Sequence, residues 1–152
     1  MQHFERVRDV IAYAQAFHRK LSGYYRRLRE MNQPERVLML LDYLQSHEDR
    51  LIEALDDFSD EAGKRVLETW FQYTPEKDIL GPLKATDPAP DLTVDQVMKT
   101  AMKMDTTLIR FLEELTEQAD SQPVTEVFQK LVEMETAEDR LLAEQTQGIQ
   151  EL

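Results

Sequence analysis

Residues 35–58 of the chain read ERVLMLLDYLQSHEDRLIEALDDF. Apolar side chains recur in this stretch every three or four residues, which is the period of an amphipathic α-helix with one buried stripe. All members of the stripe are apolar except His47, which lies near its middle; they are Val37, Leu40, Leu44, His47, Leu51, Leu55 and Phe58. The stretch therefore predicts a long helix that carries one ionisable side chain on its buried face.

A second amphipathic helix is predicted upstream, over about residues 3–31. Its stripe has the same spacing and consists of Val7, Ile11, Ala14, Leu21, Tyr25 and Leu28. The break between the two helices is Asn32-Gln33-Pro34, and a proline is well tolerated in the first turn of the helix that follows. Because so short a connection reverses the chain, we expect the two helices to form an antiparallel hairpin.

A long connection follows, over residues 59–92. Residues 60–73 are predicted to form a short helix that ends in the aromatic cluster Trp70, Phe71 and Tyr73. The remainder holds four of the chain's six prolines, which favours extended, irregular backbone. The aromatic cluster is expected either to cover one end of the core or to offer a surface to a partner or ligand.

Two further helices are predicted, over about residues 93–117 and 123–147, separated by the break Ser121-Gln122-Pro123. Thr93 and Gln96 have the capping-box spacing that opens a helix. The connections are thus short, long and short. This order predicts an all-α protein of one domain, residues 1–152, with two antiparallel hairpins joined by a long crossover in a four-helix bundle.

Composition excludes several classes of function. No apolar run approaches the roughly 20 residues that cross a bilayer, and the first residues lack the layout of a secretion signal, so no membrane association is expected. There is no cysteine, hence no disulfide or thiolate ligand, and the cytoplasm is the default assignment.

Charge is distributed unevenly along the chain. The net charge of -12 opposes binding to nucleic acid, which requires clustered Lys and Arg. Residues 1–36 nevertheless carry eight basic and four acidic side chains. The first helix is therefore predicted either to pack beside acidic neighbours or to offer a basic docking face to an acidic protein partner.

Polar residues lie at or beside the predicted buried stripe of each main helix, near its middle. They are His18, His47, Asp105, Glu135 and Glu138. Because ionisable groups are costly to bury alone, the five are predicted either to bind a metal ion or to pair in a hydrogen-bonded network. Two imidazoles with two or three carboxylates suit a single divalent Fe, Mn or Zn ion.

The chain resembles the ferritin-like superfamily, particularly its rubrerythrin and bacterioferritin branches. The resemblance rests on the four-helix architecture, on the patch FHRKLSGYY at residues 17–25, and on the turns of the second and fourth helices that would carry ligands. In that superfamily two helices supply one glutamate each to a pair of irons, and the other two supply Glu-x-x-His.

Carried over to the second and fourth helices, this pattern is only partly present. His47 matches the histidine of the second helix, but the glutamate expected three residues earlier is Leu44. Glu135 matches the glutamate of the fourth helix, and Glu138 stands where its histidine is expected.

The first and third helices depart from the pattern as well. Phe17 and His18 stand where the first helix would offer a glutamate, and the third helix offers Asp105. In the superfamily the glutamates of the Glu-x-x-His turns bridge the two metals. The resemblance therefore implies a degenerate site, in which Leu44 removes one bridge and dioxygen activation by two irons is disfavoured.

Two functions follow from these observations. One is a binding or assembly module without metal, whose surface is the first helix or the Trp70–Tyr73 crossover. The other is an atypical metal-binding, redox-active relative of rubrerythrin with a single ion. Leu44 favours the first, and an enzymatic activity is left undecided with a preference against it. A homodimer is compatible with both, since long amphipathic helices commonly pair.

Overall fold

The computed structural model describes residues 6–71 and 78–151. Within these ranges the chain forms helices and an isolated antiparallel bridge between Arg6 and Trp70. The helices are α1 Val7–Arg29, α2 Glu35–Ala62, α3 Lys64–Leu67, α4 Gly81–Lys84, α5 Val94–Gln118 and α6 Gln122–Glu151. No helix of the described part is long and apolar enough to cross a membrane.

The four long helices pack as two antiparallel hairpins, and α2 contacts both helices of the second hairpin. The apolar faces of the four long helices line the shared core. Buried members include Val7, Leu21, Leu40, Leu44, Leu55, Leu108, Leu115, Phe128 and Leu131. Short connections join α1 to α2 and α5 to α6, while a crossover joins α2 to α5. The bundle is therefore built as the spacing of apolar residues and the loop lengths predict.

The helices differ in length from the sequence prediction. α2 continues to Ala62, where Gly63 with φ 89° stops it. Glycine adopts this positive φ readily. Residues 60–62 of the predicted short helix therefore belong to α2, and a separate short helix follows over Lys64–Leu67. A further short helix, α4, lies in the proline-rich part of the crossover, with Pro82 in its first turn. Residues 3–5 and 72–77 of the predicted helices lie outside the described residues.

The crossover is attached to the bundle at both ends. Phe71 is buried and its ring lies edge-on to Phe128, with centroids 5.2 Å apart. Trp70 is 60% exposed, and the Arg6 guanidinium lies 4.7 Å from the centroid of its ring. Phe71 thus covers the core as one of the two sequence interpretations predicts, whereas Trp70 faces outward; Tyr73 lies outside the described residues.

A buried glutamine ties the other end of the crossover to the first hairpin. The Gln33 side chain donates to the carbonyls of Leu28 and Ala89, at 3.1 and 2.7 Å, and accepts from the backbone N–H of Leu92 at 3.0 Å. Since buried backbone groups require partners, this side chain positions the segment that leads into α5.

Candidate functional site

The interior of the bundle contains a layer of ionisable side chains drawn from all four long helices. The buried members are His18 on α1, His47 and Glu48 on α2, Asp105 on α5 and Glu135 on α6. Glu138 and Asp139 of α6 are half-buried beside them. The layer lies near the middle of each helix, because hairpins of similar length bring their midpoints to the same level.

His18 occupies the centre of this layer and is fully buried. Its Nδ1 lies 2.8 Å from Oε1 of Glu48, and its Nε2 lies 2.8 Å from Oε1 of Glu135. A neutral imidazole carries one N–H, whereas an imidazolium carries two and can donate to both carboxylates. The geometry is therefore that of a buried cation held between two anions.

The electrostatics of His18 agree with this geometry. Burial by itself would lower the pKa of His18, but the charge and hydrogen bond of Glu135, together with those of Glu48, outweigh burial and raise the pKa to about 10. Burial in turn raises the pKa of Glu48, and its hydrogen bond to His18 opposes that rise. Near neutral pH we expect His18 to be an imidazolium ion.

His47 lies beside His18, Glu48 and Glu135 but, unlike His18, it is uncharged. Its Nε2 is 3.7 Å from Oε2 of Glu48 and its Nδ1 is 3.9 Å from Oε2 of Glu138, both too long for hydrogen bonds. Burial, followed by the positive charges of His18 and Arg50, lowers the pKa of His47 to about 4. His47 is therefore neutral at pH 7.

Asp105 lies in an environment that disfavours the charged form of its carboxyl group. Burial, the charge of Glu48 and a hydrogen bond to Asp139 raise the pKa of Asp105 well above its usual range. Burial and the charges of Glu48 and Asp105 also raise the pKa of Tyr25 well above its ordinary value.

The five site residues predicted from the sequence all lie in or beside this layer. The structure brings His18 to Glu135, places His47 near Glu138, and pairs Asp105 with a residue outside the predicted set.

Two members of the layer, Glu48 and Asp139, were not predicted. Glu48 continues the spacing of Leu44, Leu51 and Leu55, so a wider buried face on α2 would have included it. A stripe one residue wide includes His47 at this turn and leaves out its neighbour Glu48.

The carboxylate that α2 supplies to the layer does not come from the turn of Leu44. Leu44 is fully buried in the apolar core, and α2 supplies its carboxylate from Glu48, one turn further along. The layer thus contains a carboxylate from α2 as well as from α6. The physical reason is the broad inward face of α2, which buries two adjacent positions, 47 and 48.

The side chains of the layer interact mainly with one another. Among residues 6–71 and 78–151, no group of three or more His, Cys, Asp or Glu side chains is placed so as to hold a metal ion. The two central glutamates already accept hydrogen bonds from His18. An additional cation between them would meet the positive imidazolium, which it would have to displace.

Four buried polar atoms of the layer nevertheless lack a hydrogen-bond partner. They are Nδ1 of His47, Oδ2 of Asp105, Oε2 of Glu138 and Oδ1 of Asp139. The second and fourth belong to the interacting side chains of Asp105 and Asp139. His47 and Glu138 remain, with two facing atoms that a small ligand could bridge.

Comparison with known proteins identifies the fold class. The all-helical bundle with short, long and short connections is a ferritin-like fold, as predicted from the sequence. It is similar over nearly its whole length to the crystal structure of a candidate ferritin-like diiron-carboxylate protein from Thermotoga maritima. The TM-score is 0.55 and the identity is 20%, over 97% of this chain and 98% of that chain. No family model matches the sequence, and no curated protein matches it. At this identity the similarity concerns the fold alone.

Proposed function

We propose that this protein is a ferritin-like bundle that works as a binding or assembly module. In its central layer the His18 imidazolium supplies the positive charge that metal supplies in a di-iron protein, and in this sense it closes the layer to metal. The observation that carries the proposal is the pair of 2.8 Å hydrogen bonds from the two ring nitrogens of His18 to Glu48 and Glu135.

The charges of the layer support this proposal. Two buried carboxylates without a cation would repel each other and would be costly to desolvate. The imidazolium offsets most of that cost from within the chain. His47 is neutral at pH 7 and burial disfavours a negative charge on Asp105, so the two central carboxylates are the anions that the imidazolium balances.

The outer surface of α1 supports the binding role. This helix carries six basic side chains and one acidic one, in a chain whose net charge is -12. All six basic side chains are exposed; they are Arg8, Arg19, Lys20, Arg26, Arg27 and Arg29. Trp70 offers less free surface, because Arg6 already covers one face of its ring.

Metal analysis of purified protein tests the proposal. The protein is incubated without oxygen with ferrous iron, manganese or zinc, desalted, and assayed for metal per chain. We expect well below one ion per chain. Two ions per chain would refute the proposal and would indicate that metal displaces His18 from its two glutamates.

A His18→Glu variant tests the role of position 18 directly. It replaces the cation with a third carboxylate, so the metal-free variant should be less stable than the wild type at pH 7. Added manganese or zinc should then raise its melting temperature, because ligands that bind only the folded state stabilise it. If metal stabilises the wild type as strongly as the variant, His18 does not close the layer.

A second function, the binding of a single divalent ion, is favoured by one observation. Nδ1 of His47 and Oε2 of Glu138 are both buried without partners and lie 3.9 Å apart. About one ion per chain in the wild type, lost in a His47→Gln variant and retained in a Thr146→Val control, would support this function over the first. Thr146 is buried on α6. Its hydroxyl donates to the Leu142 carbonyl and accepts from the Gln150 side chain, and both partners belong to the same helix.

A further inference from the structure

A groove runs along the outside of the bundle between α1 and the crossover. Its volume is about 700 Å³, within the range of ligand-binding clefts. The wall on α1 is formed by Lys20, Gly23 and Arg27, which share one face of the helix, and the floor includes Leu80 and Leu83. Both leucines are more than nine-tenths buried, so the floor is apolar and firmly packed.

The rim of this groove is mainly basic. Lys20, Arg26 and Arg27 of α1 line it from one side, and Lys84 of α4 lines it from the other. Lys84 forms an ion pair with Asp78, at 3.0 Å, so its charge is partly balanced and the positive charge of the rim comes mainly from the three α1 side chains. This concentration of positive charge stands out in a chain of net charge -12.

Two carboxylates share the same rim, namely Glu30 and Asp87. They would repel a compact polyanion such as a nucleic acid or a polyphosphate. Single carboxylates carried on separate side chains of a ligand can contact the basic residues and avoid these two. The mixed rim therefore favours a protein segment with spaced acidic residues.

Gly23 lies in the middle of the α1 wall. Glycine inside a helix lowers stability by about 0.5–1 kcal/mol relative to alanine. Neither packing nor backbone conformation requires it here: a Cβ at this position would have no neighbour within 4 Å, and its φ is not left-handed. The missing side chain leaves the groove open between Lys20 and Arg27, where a ligand can approach the helix backbone.

From these features we propose that the groove binds an acidic amphipathic helix of a partner protein, with apolar side chains against Leu80 and Leu83 and carboxylates against Lys20 and Arg27. This inference rests on the proposed binding function and names its surface. Lys20 and Arg27 are seven residues apart, which is about 10 Å or two helical turns. A partner helix of two to three turns spans the same distance.

Fluorescence anisotropy with a defined probe tests the inference on the full chain. The probe is a labelled 18-residue peptide of leucine and glutamate placed at helical spacing. One control peptide carries glutamine for glutamate and another carries serine for leucine. We expect the probe to bind and both control peptides to bind at least about tenfold more weakly, since both charge and apolar contact contribute.

Three protein variants locate the binding site. Lys20→Glu combined with Arg27→Glu should weaken binding by about tenfold or more. The matched control, Lys103→Glu with Arg110→Glu, reverses an exposed Lys and Arg seven residues apart on α5 and should change affinity by less than about twofold. Gly23→Leu should fill the groove and weaken binding while raising the melting temperature, since leucine is a better helix former.

Several results would overturn the inference. One is that the probe does not bind, and another is that the glutamine peptide binds equally well. A third is that the Lys20/Arg27 and Lys103/Arg110 double variants lose affinity equally. The last is that pyrophosphate competes as effectively as unlabelled probe. Self-association of the chain that the Lys20/Arg27 double variant abolishes would assign the groove to a second copy instead. Metal analysis is independent of these residues, so a failed peptide experiment with metal-free protein would reject the groove without rejecting the binding function.

Discussion

Replacing His18 with glutamine removes the buried cation between Glu48 and Glu135 while leaving a polar side chain of similar size. Both glutamates are almost fully buried, so neither can recover its lost partner from water without a change in structure. Breaking a buried ion pair from one side commonly lowers stability by about 3–5 kcal/mol. We expect a loss of that order at pH 6.5.

The size of the effect should depend on pH in a defined way. The pKa of His18 rises from 6.5 in the unfolded chain to about 10 in the folded one, and each unit of pKa corresponds to about 1.4 kcal/mol. The folded state therefore holds a proton that the unfolded state loses above pH 6.5. The stability that His18 contributes is fully present below pH 6.5, amounts to about 5 kcal/mol there, and disappears as pH rises to about 10.

Urea unfolding followed by far-ultraviolet circular dichroism measures this difference. Wild type and His18→Gln are compared at half-unit steps from pH 6 to 9.5, so that the titration of groups distant from position 18 cancels. The gap in unfolding free energy should narrow by about 1.4 kcal/mol per pH unit above 6.5. A Thr146→Val variant, which changes a buried hydroxyl that does not titrate, should show a gap independent of pH.

A constant gap between wild type and His18→Gln across this range would refute the reasoning. It would mean that His18 is neutral in the folded protein and that its contacts with Glu48 and Glu135 are not those of an imidazolium ion. The proposed closure of the layer would then lose its electrostatic basis.

Three further substitutions have distinct expected outcomes. His47→Gln should show the opposite pH dependence from His18→Gln: the folded-state pKa of His47 is about 4, so wild type should lose up to about 3 kcal/mol relative to the variant as pH falls from 6.5 to 4 in urea unfolding. Glu48→Gln should lower stability at pH 7 by about 3 kcal/mol, because the His18 cation keeps only one carboxylate. It should also lower the pKa of His18, which nuclear magnetic resonance of the ring protons measures directly; an unchanged pKa would contradict the assigned contact. Gln33→Ala leaves three backbone groups of the hairpin and crossover without their partner and should cost about 1–3 kcal/mol. Faster amide hydrogen exchange at Leu92, with α6 unaffected, would show that the loss is local.

The helices and their order could be predicted from the sequence because their causes are local. The spacing of apolar residues defined the buried faces, and Pro34 marked the turn of the first hairpin. The capping box at Thr93 is confirmed: Thr93 Oγ1 accepts from the Gln96 backbone at 3.1 Å, and Gln96 Oε1 accepts from the Thr93 N–H at 2.9 Å. Residues that interact over three positions need no tertiary structure to be recognised.

The ionisable layer could be predicted only in part. Its level in the bundle followed from the midpoints of the helices, and polar residues at or beside the apolar stripes pointed to His18, His47 and Glu135. Glu48 lay outside the prediction, although its spacing from Leu44 is compatible with burial, because the width of a buried face depends on how many neighbouring helices cover it.

By itself, then, the sequence determined the helical class, the two hairpins and the level at which charged groups are buried, since periodicity, caps and loop lengths act within a few residues. Only the tertiary structure decided that His18 joins Glu48 to Glu135, residues 30 and 117 positions away along the chain. It likewise decided that the Gly23 face of α1 borders the leucines of the crossover as an open groove. Contacts of this kind depend on the rotation of each helix about its axis, which the packing of the whole core sets.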